Sequence, residues 1–205
     1  VDAVQDHLES IYAVRCAHRA VGFLLDEAQA AALGADTGSA AEALLVHEAV
    51  EGELELGLYL SPDILGPLAA APERALGPFC QLAEGVSHFL YLSRSAELSR
   101  PVSLLELEAQ AEVDKFALLL LRAWSAGRGT WAAGLHSCLF DETRLRAGLS
   151  ETETRRYGEA NRLARAFCAR LLPDCAARRL EPLLQSLRYA YRLGAEAKFQ
   201  HFARS

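Results

Sequence analysis

The chain has no methionine, no Cys-x-x-Cys pair and no apolar run longer than the six residues Phe116 to Leu121. The missing methionine carries no functional information. The short apolar runs fall far below the ~20 residues that a membrane-spanning helix needs. The amino-terminal VDAVQDHLES has neither a basic region nor an apolar signal core. A soluble, cytoplasmic protein with no membrane partner is the expectation. The five cysteines, Cys16, Cys80, Cys138, Cys168 and Cys175, are odd in number and widely spaced. That pattern argues against a disulfide framework or a zinc knuckle and for buried thiols.

Catalytic signatures are equally scarce. The glycines around Gly34 and Gly38 form neither a phosphate-binding GxxxxGK[ST] loop nor a GxGxxG turn. His47-Glu48 opens an HExxH-like stretch, but position 51 is Glu51, so the second histidine is absent. His136-Ser137-Cys138 has no nucleophile elbow around it.

What is present favours helix. Half of the 205 residues are apolar, with Leu, Ala, Glu and Arg prominent. The expected fold is α+β and mainly α-helical around a long central helix, with a small antiparallel sheet or hairpin near residues 44–60. A single domain spanning 1–205 is expected, with a subdivision into an acidic α+β part (1–126) and a basic helical part (127–205). Residues 151–205 hold 11 of the 21 basic side chains but 6 of the 27 acidic ones. Such asymmetry marks either two mutually attracting halves or a surface for nucleic acid.

The stretch Glu84 to Leu121 is the densest in chemistry. Arg100-Pro101 divides it, because a residue before proline avoids the helical region. Ser103 and Glu106 have capping-box spacing and start a helix to about Ser125, stopped by Gly127 and Gly129. On its apolar face Asp114 lies between Leu107 and Leu121, so burial forces this carboxylate to find partners or stay protonated. Glu108, Glu112 and Lys115 lie on a flank. Before the proline, residues 79–92 fit a helix better than a strand. As a helix they place Glu84, His88, Tyr91 and Ser95 on one polar stripe, where a Glu and a His four apart can share a metal or a proton.

Elsewhere the periodicity predicts helix over 2–33, interrupted near Gly22, with Val21–Leu25 as an alternative strand. Leu54, Leu56, Leu58 and Leu60 share one strand face and Tyr59 the other, paired through a turn at Glu51-Gly52 with a strand at 44–50. A short helix at 64–71 is expected to break at Gly66-Pro67. Ser150 and Glu153 form a second capping box, for a helix expected to stop before Pro173. Two more helices follow, with Tyr189, Arg192, Lys198 and His201 as a basic aromatic surface or a plain solvated face.

Three functional classes follow. The absent motifs favour a non-enzymatic interaction or assembly protein, with a protein partner or a homo-oligomer. The alternative is a metal-dependent or acid/base enzyme, with Glu84, His88 and Asp114 as catalytic candidates. Glu84, His88, Glu108 and Glu112 are then candidate ligands of a divalent metal. The third class is a nucleic-acid-associated protein using Arg155, Arg156, Arg162 and Arg192.

Overall fold

A computed structural model describes residues 1–38, 40–48, 54–70, 75–127, 131–142 and 148–204. The expected turn at Glu51-Gly52 and the helix stop at Gly129 lie outside the described residues. The fold is mainly helical with a small sheet, as the composition implies. No helix among the described residues is long and apolar enough to cross a membrane. The chain divides into two compact units, residues 1–6 with 15–101 and residues 7–14 with 102–205. Helix α1 (Asp2–Tyr12) begins in the first unit and ends in the second. It is shorter than the sequence predicts, because Ala13 turns the chain out of the helix at φ 49°.

In the first unit, a 3₁₀ turn at Ala20–Phe23 leads into β1 (Leu24–Leu25) and α2 (Glu27–Ala32). Asp26 and Gln29 cap α2 reciprocally. Next come β2 (Glu42–Glu48), β3 (Leu54–Leu60), α3 (Pro62–Ala70) and α4 (Leu76–Glu97). The strand order is β1-β3-β2. The hairpin β2–β3 is antiparallel, with Leu44 opposite Leu58, but β1 joins β3 in parallel. The expected antiparallel pair near residues 44–60 is present, and Leu24–Leu25, the alternative strand, joins it in parallel as a third member, so the sheet is mixed. As the central strand, β3 buries Leu58, Tyr59 and Leu60 alike, so Tyr59 is not on a solvated face.

Two glycines set close approaches here. A Cβ on Gly57 would stand 2.5 Å from Leu25 Cδ1, so the Leu25 side chain packs into the space the glycine leaves on β3. A Cβ on Gly85 would meet Leu58 Cδ1 at 3.1 Å and Glu42 Oε2 at 3.2 Å, so α4 rides close on the sheet. Helix α3 runs unbroken through Gly66-Pro67, with buried Ile64 anchoring it. Proline removes one ladder hydrogen bond, and packing compensates in so short an element.

Residues 79–92 are helical rather than a strand, since α4 is one continuous helix. It ends where Ser99 adopts φ 51° and the Arg100 amide returns to Ser95 O at 2.8 Å.

The second unit is built on α5 (Leu104–Ser125), packed against α6 (Ala132–Phe140) and α7 (Glu151–Ala176), with α8 (Leu180–Arg192) and α9 (Ala195–Phe202) completing it. Ser103 Oγ accepts the Glu106 amide at 3.2 Å, and the Ser150–Glu153 box caps α7 in both directions. Phe116, Leu118, Leu119 and Leu120 are buried, as expected of the C-terminal half of a central helix. Helix α7 continues one turn past the expected stop at Pro173. The buried Cys175 side chain holds that turn, and the Ala177 amide bonds Pro173 O at 3.1 Å.

Candidate functional site

The polar stripe of α4 exists and, except for half-exposed Glu84, it is buried: His88, Tyr91 and Ser95 all lie inside, with His88 8% exposed. Two features position it. Gly85 draws the helix onto the sheet on one side, and Phe89 packs on Phe23 with ring centroids 4.9 Å apart. Glu84 and His88 are one turn apart, and a ligand atom of each lies within 4.8 Å of the other. Further along, Arg100 stacks over the Tyr91 ring at 5.0 Å and donates to Ser95 Oγ at 2.9 Å. The C-terminal half of the stripe is thus committed to closing the helix end, and its N-terminal half carries the carboxylate–imidazole pair.

The remaining candidates belong to the second unit. Asp114 is 1% exposed and its Oδ1 accepts from the Tyr12 hydroxyl and, at 2.8 Å, from Gln110 Nε2. Gln110 Nε2 also reaches Tyr12 Oη at 3.1 Å, while its Oε1 accepts from Lys198 Nζ at 2.7 Å. Lys198 is fully buried, with its ammonium 5.6 Å from the Tyr191 ring centre. Tyr191 in turn stacks on Tyr12 at 4.1 Å. This corrects the reading of Lys198 as part of a surface. One amide side chain links a buried cation to a buried carboxylate, using its acceptor for one and its donor for the other. Burial, then the neighbouring Asp114, pushes the Tyr12 phenol well above its usual range, so it stays a proton donor.

Sequence reasoning missed Gln110 and Tyr12 as partners. Gln110 stands four residues before Asp114 on the same helix face, and Lys198 shares a face of α9 with buried Phe202; both spacings were visible.

The flank carboxylates are paired inside the same unit. Glu112 bonds Lys115 at 2.8 Å, and Glu108 stands 3.5 Å from Arg156. The other nucleic-acid candidates are also occupied. Arg155 pairs with Glu151 and Arg162 with Glu159, one helical turn away in each case. Arg192 donates to Tyr12 O at 3.3 Å, capping the end of α1. His136 bonds Arg165 O at 3.0 Å, a structural use within α6–α7.

No protein-family model matches the chain, and neither a curated protein nor a solved structure matches it.

Proposed function

We propose that the first unit binds a divalent transition-metal ion on α4 through the Glu84 carboxylate and the His88 imidazole. The observation that carries this is the approach of their ligand atoms to within 4.8 Å on a largely buried helix. Two neighbouring ligands held at about 2.0–2.2 Å from one tetrahedral ion stand ~3.4 Å apart, so side-chain rotation that closes the pair by at most about 1.4 Å brings both onto it. Mixed oxygen and nitrogen donors suit zinc, iron or manganese better than calcium. An ion held by two side chains keeps positions open to water or substrate, and it would supply Lewis acidity and an activated water there. In that role Glu84 and His88 are ligands, and Asp114, committed to Tyr12 and Gln110, is a structural carboxylate of the second unit.

Elemental analysis of protein purified without a metal-affinity tag tests this. Near-stoichiometric transition metal is expected, falling at least tenfold in His88→Ala and in Glu84→Gln while circular dichroism stays unchanged. Protein that remains metal-free after incubation with zinc, manganese and ferrous ions, or His88→Ala protein that keeps its metal, refutes the reading.

A further inference from the structure

Two shallow grooves flank one exposed aromatic ring in the second unit. Tyr189 on α8 is 58% exposed. On one side lies a groove of ≈ 290 Å³ lined by Arg188, Arg192 and Leu193. On the other lies one of ≈ 340 Å³ between α7, α8 and α9, lined by Phe167, Arg170 and His201 among others. Gln185 and Tyr189 line both. The Tyr189 ring does not swing freely, because it meets the His201 ring edge-on with centroids 5.2 Å apart. A pre-positioned aromatic ring is a low-entropy anchor for a partner.

The charge at this face differs from that elsewhere on the same helices. Arg155, Arg162, Arg165 and Arg179 are each neutralised by a carboxylate. Arg170, Arg188 and Arg192 are held differently. Arg170 donates to His201 O at 2.7 Å, Arg188 to Ile11 O at 2.8 Å and Arg192 to Tyr12 O at 3.3 Å. Among the described residues their hydrogen bonds all go to backbone carbonyls. Carbonyls fix a guanidinium in place without cancelling its charge. The one carboxylate in either lining, Asp174, is taken by Arg179 at 2.6 Å. Among the described residues, three cations held by carbonyls rather than carboxylates therefore surround an aromatic ridge with a shallow recess on each side.

We infer that this α8 face is the docking surface for an acidic peptide segment of a protein partner, which lies across Tyr189 and seats one aromatic side chain in the recess beside Phe167 and His201. Charge complementarity selects an acidic ligand, and the apolar recesses select one that also carries side chains to bury. A nucleic acid would meet the same cations but has no side chain to seat in the recess beside Phe167 and His201. The surface is independent of the α4 metal reading and is tested separately.

The probe is an unlabelled heptapeptide with three Glu and a central Phe, titrated into ¹⁵N-labelled full-length protein and followed by amide shifts. Saturable shifts confined to α8, α9 and the neighbouring part of α7 are expected. Kd should weaken at least tenfold when Lys replaces Glu, and several-fold when Ala replaces Phe. Tyr189→Ala, which loses one ring contact and no hydrogen bond, should fold normally and weaken binding at least tenfold, as should Arg192→Glu. Arg155→Glu, outside the grooves, should bind as the parent does. Absence of saturable shifts at millimolar peptide overturns the proposal, as does equal binding of the Lys peptide or unaltered binding by Tyr189→Ala. Tighter binding of an oligothymidylate octamer at the same amides also overturns it and assigns the face to nucleic acid.

Discussion

Removing Lys198 tests the buried network most directly. Its ammonium is fully buried and donates to Gln110, whose amide donates to Asp114, itself 1% exposed. Lys198→Met keeps the length and packing of the stem but deletes the cation. Gln110 Oε1 then loses a charge-assisted hydrogen bond, and the cation is gone from the network that holds Asp114. Breaking one side of a buried ionic arrangement costs about 3–5 kcal/mol, a fifth or more of the ~5–15 kcal/mol by which a domain is stable. Asp114→Asn is expected to cost a similar amount, since it takes the carboxylate acceptor from two buried donors, Tyr12 and Gln110. The double variant removes both charges, and buried ion pairs replaced as a pair by neutral groups come out near neutral. It should therefore be less destabilised than the sum of the singles by roughly 1–3 kcal/mol, the range for residues that share partners. Both tryptophans, Trp124 and Trp131, lie in the second unit, so their fluorescence in urea reports on that unit. Single costs under about 1 kcal/mol, or additivity within ~0.5 kcal/mol, would refute the coupling through Gln110.

Other outcomes follow from local geometry. Gly57→Ala should destabilise the first unit by about 1 kcal/mol, the clash with Leu25 exceeding the gain from a less flexible unfolded chain; in a Leu25→Ala background the penalty in urea midpoint should disappear, and a penalty that persists there sinks the steric account. Stability should decline on the alkaline side. Burial, then Cys175, holds the Cys168 thiol well above its usual range, burial raises Cys175 to about 12, and Tyr12 is raised likewise. Groups kept neutral by the fold contribute stability that is complete below their unfolded values and is lost above them. The urea midpoint should therefore fall from about pH 9 as unfolded thiols ionise, and more steeply above about pH 10, each group adding up to ~1.4 kcal/mol per pH unit. A midpoint unchanged between pH 8 and 10.5 would contradict this, and Cys168→Ala should flatten the slope.

Local signals in the sequence read true wherever the physics is local. The two N-caps, Ser103 and Ser150 (the second a full capping box with Glu153), the division at Pro101 and the period-two strand at 54–60 depend on residues within a few positions of one another. The errors fall where distant packing overrides such rules. Pro67 and Pro173 sit inside helices because buried Ile64 and Cys175 hold the turns around them. Tyr59 is buried because a two-residue strand from residues 24–25 makes β3 central, and nothing near Tyr59 in the sequence announces that neighbour.

The candidate sites divide along the same line. The helical spacing of Glu84 and His88 was enough to bring their ligand atoms close. Asp114 was correctly marked as a buried carboxylate in need of partners, yet Tyr12 lies 102 residues away in sequence and Lys198 reaches it only through Gln110. Charge count does not locate an anion surface, because it does not say how each charge is paired. Arg155 and Arg162 have carboxylates one turn away on their own helix and are neutralised there. Arg170, Arg188 and Arg192 find carbonyls at the ends of other helices instead. A guanidinium that caps a helix terminus stabilises the fold and keeps its field. The residues best placed to meet an acidic partner are thus those whose structural work leaves their charge intact, a property set by tertiary contacts and invisible in composition.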